Sequence, residues 1–426
     1  MMRPQDGSAP TSRIASNSSV KVAVIATHVP PATGFGGIAE CVGRQAKIWS
    51  ERGHSFSLTL SDGSMGAPLT RENVDLPASV PLRIYRTPRQ SHWAKRWGFG
   101  LGAIPAIWSS CSRAKIVHIH GLGSWPTLVA QAICWMTGRP MVVTLHAGIM
   151  ATHITLLQNR KPFKWRLYRF FVLPALRRAV MLQATTELEA ESSAPVVPGI
   201  PMQIIPNGVD LTSWFALPWP EPPPPESGRT LCYMGRFSPE KGPLSFLRLW
   251  RVCRREGDRL ILVGDGKGPY AEAVETLAKA IAAELPDTLE LLPYQDFAGM
   301  RAVLSRAHGL VLPSGIEGGD MRENFGNVVA EAMASGRPVV VARGLAWDSV
   351  ERDGAGLVFD PTETSLADTL DRFRRMDAEA LATMGHRGRA LAEAHYDMES
   401  VAEALWEMME QALSPRLSTA PPTSGP

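Results

Sequence analysis

Short, uninterrupted apolar runs alternate with longer amphipathic stretches along most of the chain. Residues 21–26 (KVAVIA) have no polar alternation after the lysine, the pattern of a parallel strand covered on both faces. A loop at 27–37 follows, then a helical pattern from 38 to 52 that Gly53 and His54 end, then a strand-like run at 55–60. The sequence repeats this order with a strand at 115–119, a helix at 125–136 and a strand at 141–145. Strands alternating with helices predict a doubly wound parallel sheet.

The alternation stops at residues 218–225 (PWPEPPPP), where proline fixes φ and removes the amide donor. Such a segment is stiff and extended, suited to joining two domains; its other reading is a ligand for an SH3-type module. Beyond it the pattern restarts, with strand-like runs at 230–234, 260–263, 289–292, 309–312 and 339–341. Near the end, residues 398–413 place Val401, Leu405, Met408, Met409 and Ala412 on one helical stripe that needs a partner surface. The expected fold is α/β, with two Rossmann-like domains and a C-terminal helix packing across their junction. The boundaries read as a disordered tail at 1–19, a first domain at 20–207, a linker at 208–228, a second domain at 229–392, a crossing helix at 393–415 and a disordered tail at 416–426.

Composition adds a charge asymmetry. The net charge of +3 hides 22 Lys and Arg against 9 Asp and Glu in residues 1–200, whereas the remainder holds 22 against 32. The first half is therefore expected to face something anionic. The five cysteines are scattered and have no metal-site spacing, as in reduced thiols of a cytoplasmic protein. The first twenty residues lack the apolar core of a signal peptide. The uncharged stretch at 98–112 is short of the roughly 20 apolar residues a spanning helix needs, so the chain is not expected to cross a membrane.

The segment richest in candidate chemistry is 323–336, ENFGNVVAEAMASG. Glu323 and Glu331 flank the start and middle of a predicted helix, about 12 Å apart if the helical rise holds throughout. Between them, the amides near Gly326 and Asn327 would sit at a helix N-terminus, which attracts phosphate. One element could thus hold a hexose, a diphosphate and a ribose in order. Arg236 and Lys241, in GRFSPEKG, follow the strand at 230–234, where parallel sheets bind ligands. No Asp-x-Asp pair occurs in the sequence, so no metal is expected, and fixed Arg and Lys charges would neutralise a diphosphate instead. Gly266, in VGDGKG, lies in a glycine-rich loop expected to line the same cleft. In the first domain, Gly36 and Gly37 end a glycine-rich turn that would let the backbone approach phosphates. His146 stands at the C-terminal edge of the strand at 141–145. His118 and His120 alternate on a strand, so one is expected to face the core.

Together these segments resemble glycosyltransferase family 4, the retaining enzymes of GT-B fold. The motifs IPNGVD (205–210), ATTELEAE (184–191) and DGAGLVFDP (353–361) stand where that family's motifs fall, and the likeness covers residues 21 to 413. It implies two domains facing a central cleft. By the same resemblance Arg236 and Lys241 grip the diphosphate, Glu331 holds the ribose hydroxyls and Glu323 contacts the transferred sugar. Gly36 and Gly37 close over the phosphates, His146 borders the reacting centre, and Asn324, Phe325, Gly326 and Asn327 complete the donor site. Transfer would retain anomeric configuration without a metal or other cofactor. The link at 315–322 (GIEGGDMR) is longer than many members have, which makes Glu317 a competitor of Glu323.

Two basic, aromatic segments remain: 86–99, and 160–178 with seven Lys and Arg beside Phe163, Trp165, Tyr168, Phe170 and Phe171. They suit an anionic membrane surface and a saccharide or lipid-linked acceptor, with the protein peripheral on the inner face of the cytoplasmic membrane. An ordinary helix with a solvated basic face gives the same pattern. Nothing else in the sequence supports nucleic acid as a partner. The leading reading is a hexosyltransferase of surface or extracellular polysaccharide, or lipopolysaccharide, assembly. A nucleotide-sugar epimerase on the same scaffold and a non-catalytic binding subunit are the alternatives.

Overall fold

A computed structural model of the chain describes residues 21–32, 37–218, 227–318 and 323–414. Both expected terminal tails, residue Gly36 and most of the proline-rich run lie outside the described residues. The first sheet holds seven parallel strands: β1 (Val22–Ile25), β2 (Phe56–Ser61), β3 (Leu82–Tyr85), β4 (Ile116–His120), β5 (Met141–Thr144), β6 (Met181–Ala184) and β7 (Met202–Ile204). Their order is β3-β2-β1-β4-β5-β6-β7. The second sheet holds β8 (Thr230–Met234), β9 (Arg259–Val263), β10 (Leu289–Leu292), β11 (Gly309–Leu312), β12 (Val339–Ala342) and β13 (Gly356–Phe359), in the order β10-β9-β8-β11-β12-β13.

The central strands are the uninterrupted apolar runs of the sequence, buried along their whole length: VAVI in β1, GLVL in β11, VVVA in β12. Helices cover both faces of each sheet, so no side of these strands can be polar. In each sheet the order reverses once, between β1 and β4 and between β8 and β11. The loops leaving the C-terminal ends of strands beside such a reversal form a crevice.

The sequence pattern left β3, β6, β7 and β13 unassigned. Strands β3, β7 and β13 lie at sheet edges, and β3 and β7 mix polar with apolar residues that remain half-exposed. Strand β6 carries Gln183 in a buried position, where it accepts from Thr144 Oγ1 at 2.6 Å and donates to the Ile205 carbonyl at 2.8 Å. A buried amide with both ends satisfied reads as polar in sequence yet costs the sheet little.

The linker needs correction at its start. Residues Leu211–Phe215 form a short helix capped by Asp210, and Trp214 is fully buried in the second domain's core. The chain therefore enters the second domain at Val209, ahead of the proline run. There Val209 N–H donates to the Tyr396 carbonyl at 2.7 Å, and the Val209 carbonyl accepts from Met398 N–H at 3.0 Å. The two passages of the chain between domains thus lie side by side. The helix before the return, Ala378–His395, runs past the expected boundary at 392, and the crossing helix is Met398–Leu413. Its stripe packs on the first domain: Trp49 Nε1 donates to the Ala402 carbonyl at 2.8 Å, and the Trp49 and Trp406 rings meet edge to face at 5.4 Å. His54 stacks on Trp406 from the other side at 4.1 Å.

Candidate active site between the two domains

Loops from the C-terminal ends of β8, β9 and β11 build one wall of the cleft. The β8 and β9 loops are sewn together: Gly235 N–H donates to the Val263 carbonyl at 3.0 Å and Phe237 N–H to the Asp265 carbonyl at 2.7 Å. A Cβ on Gly266 would lie 2.6 Å from that of Ala271 and 2.7 Å from the Phe237 carbonyl. This glycine is required by loop-on-loop packing, whatever the loop faces. Next along the β8 loop, a turn of 3-10 helix at Pro239–Lys241 aims Lys241 inward. Its ammonium forms an ion pair with the Glu323 carboxylate, and both side chains are mostly buried, at 14% and 12% exposure. Arg236 stays exposed at 66% and pairs loosely with Glu240 at 3.5 Å. Burial, with the like charge of Arg236 beside it, pushes the Lys241 ammonium down to about 7, with Glu240 acting in the opposite sense. In this structure the Glu323 carboxylate supplies the anion that a buried cation next to a second cation requires.

Glu317 is committed elsewhere. Its Oε1 accepts from the Ser245 amide at 2.9 Å and from the Tyr270 hydroxyl at 2.6 Å, fastening the post-β11 loop to its own domain. Glu323 is left as the carboxylate that meets Lys241. The helix after it is shorter than expected, Asn327–Ala334, and begins behind Gly326 in the left-handed region at φ 70°. Glu323 therefore precedes the helix, and the helical-rise spacing between the two glutamates does not apply. The Phe325 ring is buried against Trp347 and Tyr396, and its carbonyl accepts from Trp347 Nε1. It anchors the turn that aims its neighbours.

One turn into that helix, Glu331 faces the cleft with Oε2 lacking a hydrogen-bond partner. Burial pushes this carboxyl up to about 7; Arg44 from the first domain pulls it back and Glu40 adds to the rise. Arg44, on the helix Gly37–Glu51, lies 4.9 Å over the Phe297 ring and 3.6 Å from Asp210. No motif marked Arg44 in the sequence. The available signal was its position one helical turn beyond Glu40 on the helix that follows the glycine turn.

The first domain supplies the opposite wall. Gly37 opens its helix so close to Asn327 that a Cβ there would collide with the asparagine side chain. Asn327 Oδ1 also accepts from Asn207 Nδ2 at 2.9 Å. Thr186 Oγ1 donates to Asn324 Oδ1 and Asn324 Nδ2 donates to Thr185 Oγ1, each at 2.9 Å. The asparagines of ENFGN thus bridge the two domains.

His118, His120 and His146 form a column of rings. His118 and His120 lie 4.1 Å apart, His120 and His146 5.9 Å. One of the strand histidines was expected to face the core; both are buried, because residues two apart on a strand share a face. Thr144 gives its proton to Gln183, so His118 Nε2 must be the donor in its 2.8 Å bond to Thr144 Oγ1. Burial holds the ordinary protonation of all three rings well down, to about 3 for His118 and about 4 for His146, with Glu189 opposing the latter shift. These are neutral imidazoles near pH 7. His146 Nε2 is buried without a partner beside the cleft, a place for a ligand hydroxyl.

On the same domain, the segment 160–178 is broken into helices Pro162–Leu167 and Leu173–Leu176 around a turn of π-helix at Tyr168–Val172. Tyr168 belongs to the core, while Phe163 and Phe170 are exposed at 84% and 69%. Residues 76–186 contain fifteen Lys and Arg and no Asp or Glu. Among the described residues no helix is long and apolar enough to cross a membrane.

Comparison with known proteins agrees with this architecture. A model described as Glycosyltransferase Family 4 matches residues 35–213, and one described as Glycosyl transferases group 1 matches residues 228–375. The chain is 29% identical over 233 residues to a GDP-mannose:cellobiosyl-diphosphopolyprenol alpha-mannosyltransferase of Xanthomonas oryzae pv. oryzae, covering 54% of this chain and 57% of that protein. The match thus spans little more than half the length of this relative. A phosphatidyl-myo-inositol mannosyltransferase of Mycobacterium tuberculosis is 28% identical, covering 75% of this chain and 77% of that protein. The crystal structure of Anabaena Alr3699/HepE in complex with UDP and glucose superposes with a TM-score of 0.68 at 16% identity, over 92% of this chain and all of the other. The two matched halves, the paired parallel sheets and the crossing helix have one reading: the chain belongs to glycosyltransferase family 4 and has the GT-B fold.

Proposed function

We propose that the protein transfers a hexosyl group from a nucleotide-diphosphate sugar to a saccharide or lipid-linked saccharide acceptor, retaining anomeric configuration and using no metal. One observation carries this reading. Across a single cleft wall stand a buried Lys241–Glu323 pair, the amino end of the Asn327 helix and the unpartnered Glu331 oxygen. That sequence of groups matches a sugar, a diphosphate and a ribose. In the free protein Glu323 occupies the charge of Lys241. A donor would exchange partners, its diphosphate taking the ammonium and its hexose hydroxyls taking the carboxylate. Lys241 and Arg236 then supply the positive charge that metals supply in other sites. The anomeric carbon–oxygen bond breaks toward the diphosphate, and the acceptor oxygen bonds to that carbon on the same face. The acceptor's proton passes to the leaving phosphate oxygen, so no side-chain base is assigned. The relatives named for mannosyl transfer and for a diphosphopolyprenol or inositol-lipid acceptor favour a GDP-sugar and a lipid-linked acceptor. A surface polysaccharide or lipopolysaccharide pathway fits such an acceptor.

The acid-free stretch at 76–186 supports docking on the inner face of an anionic membrane. Beside its cations it exposes Leu101, Trp108, Met136, Phe163 and Phe170, apolar groups that can enter the headgroup region. Replacing Lys164, Arg166 and Arg169 with Ser is expected to weaken binding to anionic vesicles in a co-sedimentation assay; unchanged binding removes the docking surface and leaves the transferase reading standing.

The test of the donor site is thermal stabilisation by nucleoside diphosphates and nucleotide sugars in EDTA. A selective shift by GDP or UDP and the corresponding sugar is expected. A response that appears only when a divalent metal is restored would end the metal-free assignment. A response to NAD(H) alone would end the transferase reading.

A further inference from the structure

Glu189 is fully buried in the first domain, and the chemistry above does not use it. It is the third residue of the short helix Glu187–Ser193, whose N-cap Thr186 accepts from the Glu189 amide at 3.0 Å. The spacing T-x-x-E is that of a capping box, in which the glutamate side chain returns to the cap's own amide. Here it does something else. Oε2 accepts from the Thr185 amide at 2.7 Å and from Thr185 Oγ1 at 2.8 Å, while Oε1 accepts from the Ala147 amide. The carboxylate has been diverted from its own helix to the loop after β5.

That loop needs holding. His146 and Ala147 are consecutive non-glycine residues with positive φ, 46° and 62°. Such a pair persists only where surrounding contacts over-determine it, and the Glu189 bond to Ala147 is a charge-assisted one. On its other side the same carboxylate grips Thr185. Thr185 and Thr186 together hold both ends of the Asn324 amide across the cleft, and Asn324 adjoins Glu323. Every hydroxyl in this relay has its proton assigned: Thr185 donates to Glu189 and accepts from Asn324, while Thr186 donates to Asn324 and accepts from the Glu189 amide. We infer that Glu189 is a positioning residue that couples docking of the second domain, through Asn324, to the strained turn that presents His146. When the domains part, Thr185 and Thr186 lose Asn324, and the turn loses part of what fixes it. When they close, His146 is aimed as Glu323 arrives.

The inference rests on the family assignment but not on the identity of the donor, and it can be tested without one. Amide hydrogen exchange of the full chain should show residues 145–150 exchanging roughly tenfold faster in Glu189→Gln, the loss expected for one charge-assisted bond. The same residues should exchange faster in Asn324→Ala, a change in the other domain. Unchanged exchange at 145–150 in Asn324→Ala overturns the coupling, and this arm decides alone if Glu189→Gln does not fold. With a donor in hand, Glu189→Gln should lower kcat for nucleoside diphosphate release while KM stays near wild type, because Lys241 and Arg236 are untouched. A folded Glu189→Gln with wild-type kcat and lowered thermal stability would make Glu189 a merely structural residue. Failure of the wild-type protein to bind any nucleotide would defeat the donor proposal and leave the exchange result standing.

Discussion

In the second domain the candidate site groups carry formal charge and come from two short segments, 235–242 and 323–331. In the first they are Arg44 and the left-handed turn at His146, backed by neutral rings and a buried carboxylate at the ends of β4, β5 and β6. Lys241, Glu323 and Glu331 all belong to the second domain, so the proposed donor wall is complete whether or not the cleft is closed. The first is held from within by Glu189 on Ala147 and Thr185, and gains contacts such as Asn207–Asn327 and Thr186–Asn324 where the domains meet. On the proposed reading the second domain's wall binds the donor and the first domain's wall aligns the reacting groups.

The largest expected effect tests that division. Lys241→Ala should lower turnover by about 10²–10³-fold and abolish the thermal shift with nucleoside diphosphate, as the diphosphate loses its buried cation. His146→Ala should reduce turnover but leave nucleoside diphosphate binding near wild type, read by calorimetry on both variants. If His146→Ala loses nucleotide binding as completely as Lys241→Ala, the division between the walls is wrong.

A second effect concerns the crossing helix, which follows the second domain in sequence but belongs to the first by packing. Trp406 is 4% exposed between Trp49 and His54. Trp406→Ala should cost about 3–5 kcal/mol in urea unfolding. The loss should appear in the first domain: exchange in residues 22–25 and 38–51 should rise more than in 309–312. Equal loosening of both sheets would mean that the helix stabilises the whole molecule and not one half.

The same contrast explains what the sequence could reveal. Central strands of both sheets were legible because burial on two faces forces continuous apolar runs. The Lys241–Glu323 wall was legible because its charges stand in compact segments with turn residues between them. Glu189 and Arg44 were not: each looks like a solvated helix charge until the fold places it, Glu189 under the His146 turn and Arg44 over Phe297. The Phe325 ring differs in the opposite direction: an aromatic inside the candidate site segment is that segment's anchor. Gly266 has a packing role that the sequence did not show, since the close approach it permits is to Phe237 and Ala271. Residues that act through tertiary contacts carry no local pattern to read.

The smallest effect is a pH dependence that joins the two walls at one carboxyl. Burial raises Glu331 to about 7, Arg44 of the first domain opposes the rise and Glu40 of the same helix reinforces it. A carboxyl raised above its unfolded value binds its proton more tightly when folded, so its contribution to stability is complete below about 4.5 and is lost as pH rises toward 7. Donor binding has the opposite sign. Ribose hydroxyls donate to the ionised carboxylate, so KM for the nucleotide sugar should fall as pH rises through about 7. Glu331→Gln should remove that inflection and leave KM nearly flat. Arg44→Ala should move the inflection upward, because the burial cost and Glu40 remain while the opposing cation is gone. An unmoved inflection in Arg44→Ala would mean that the first domain does not reach Glu331 in the donor-bound enzyme, and that Glu331 senses only its own wall.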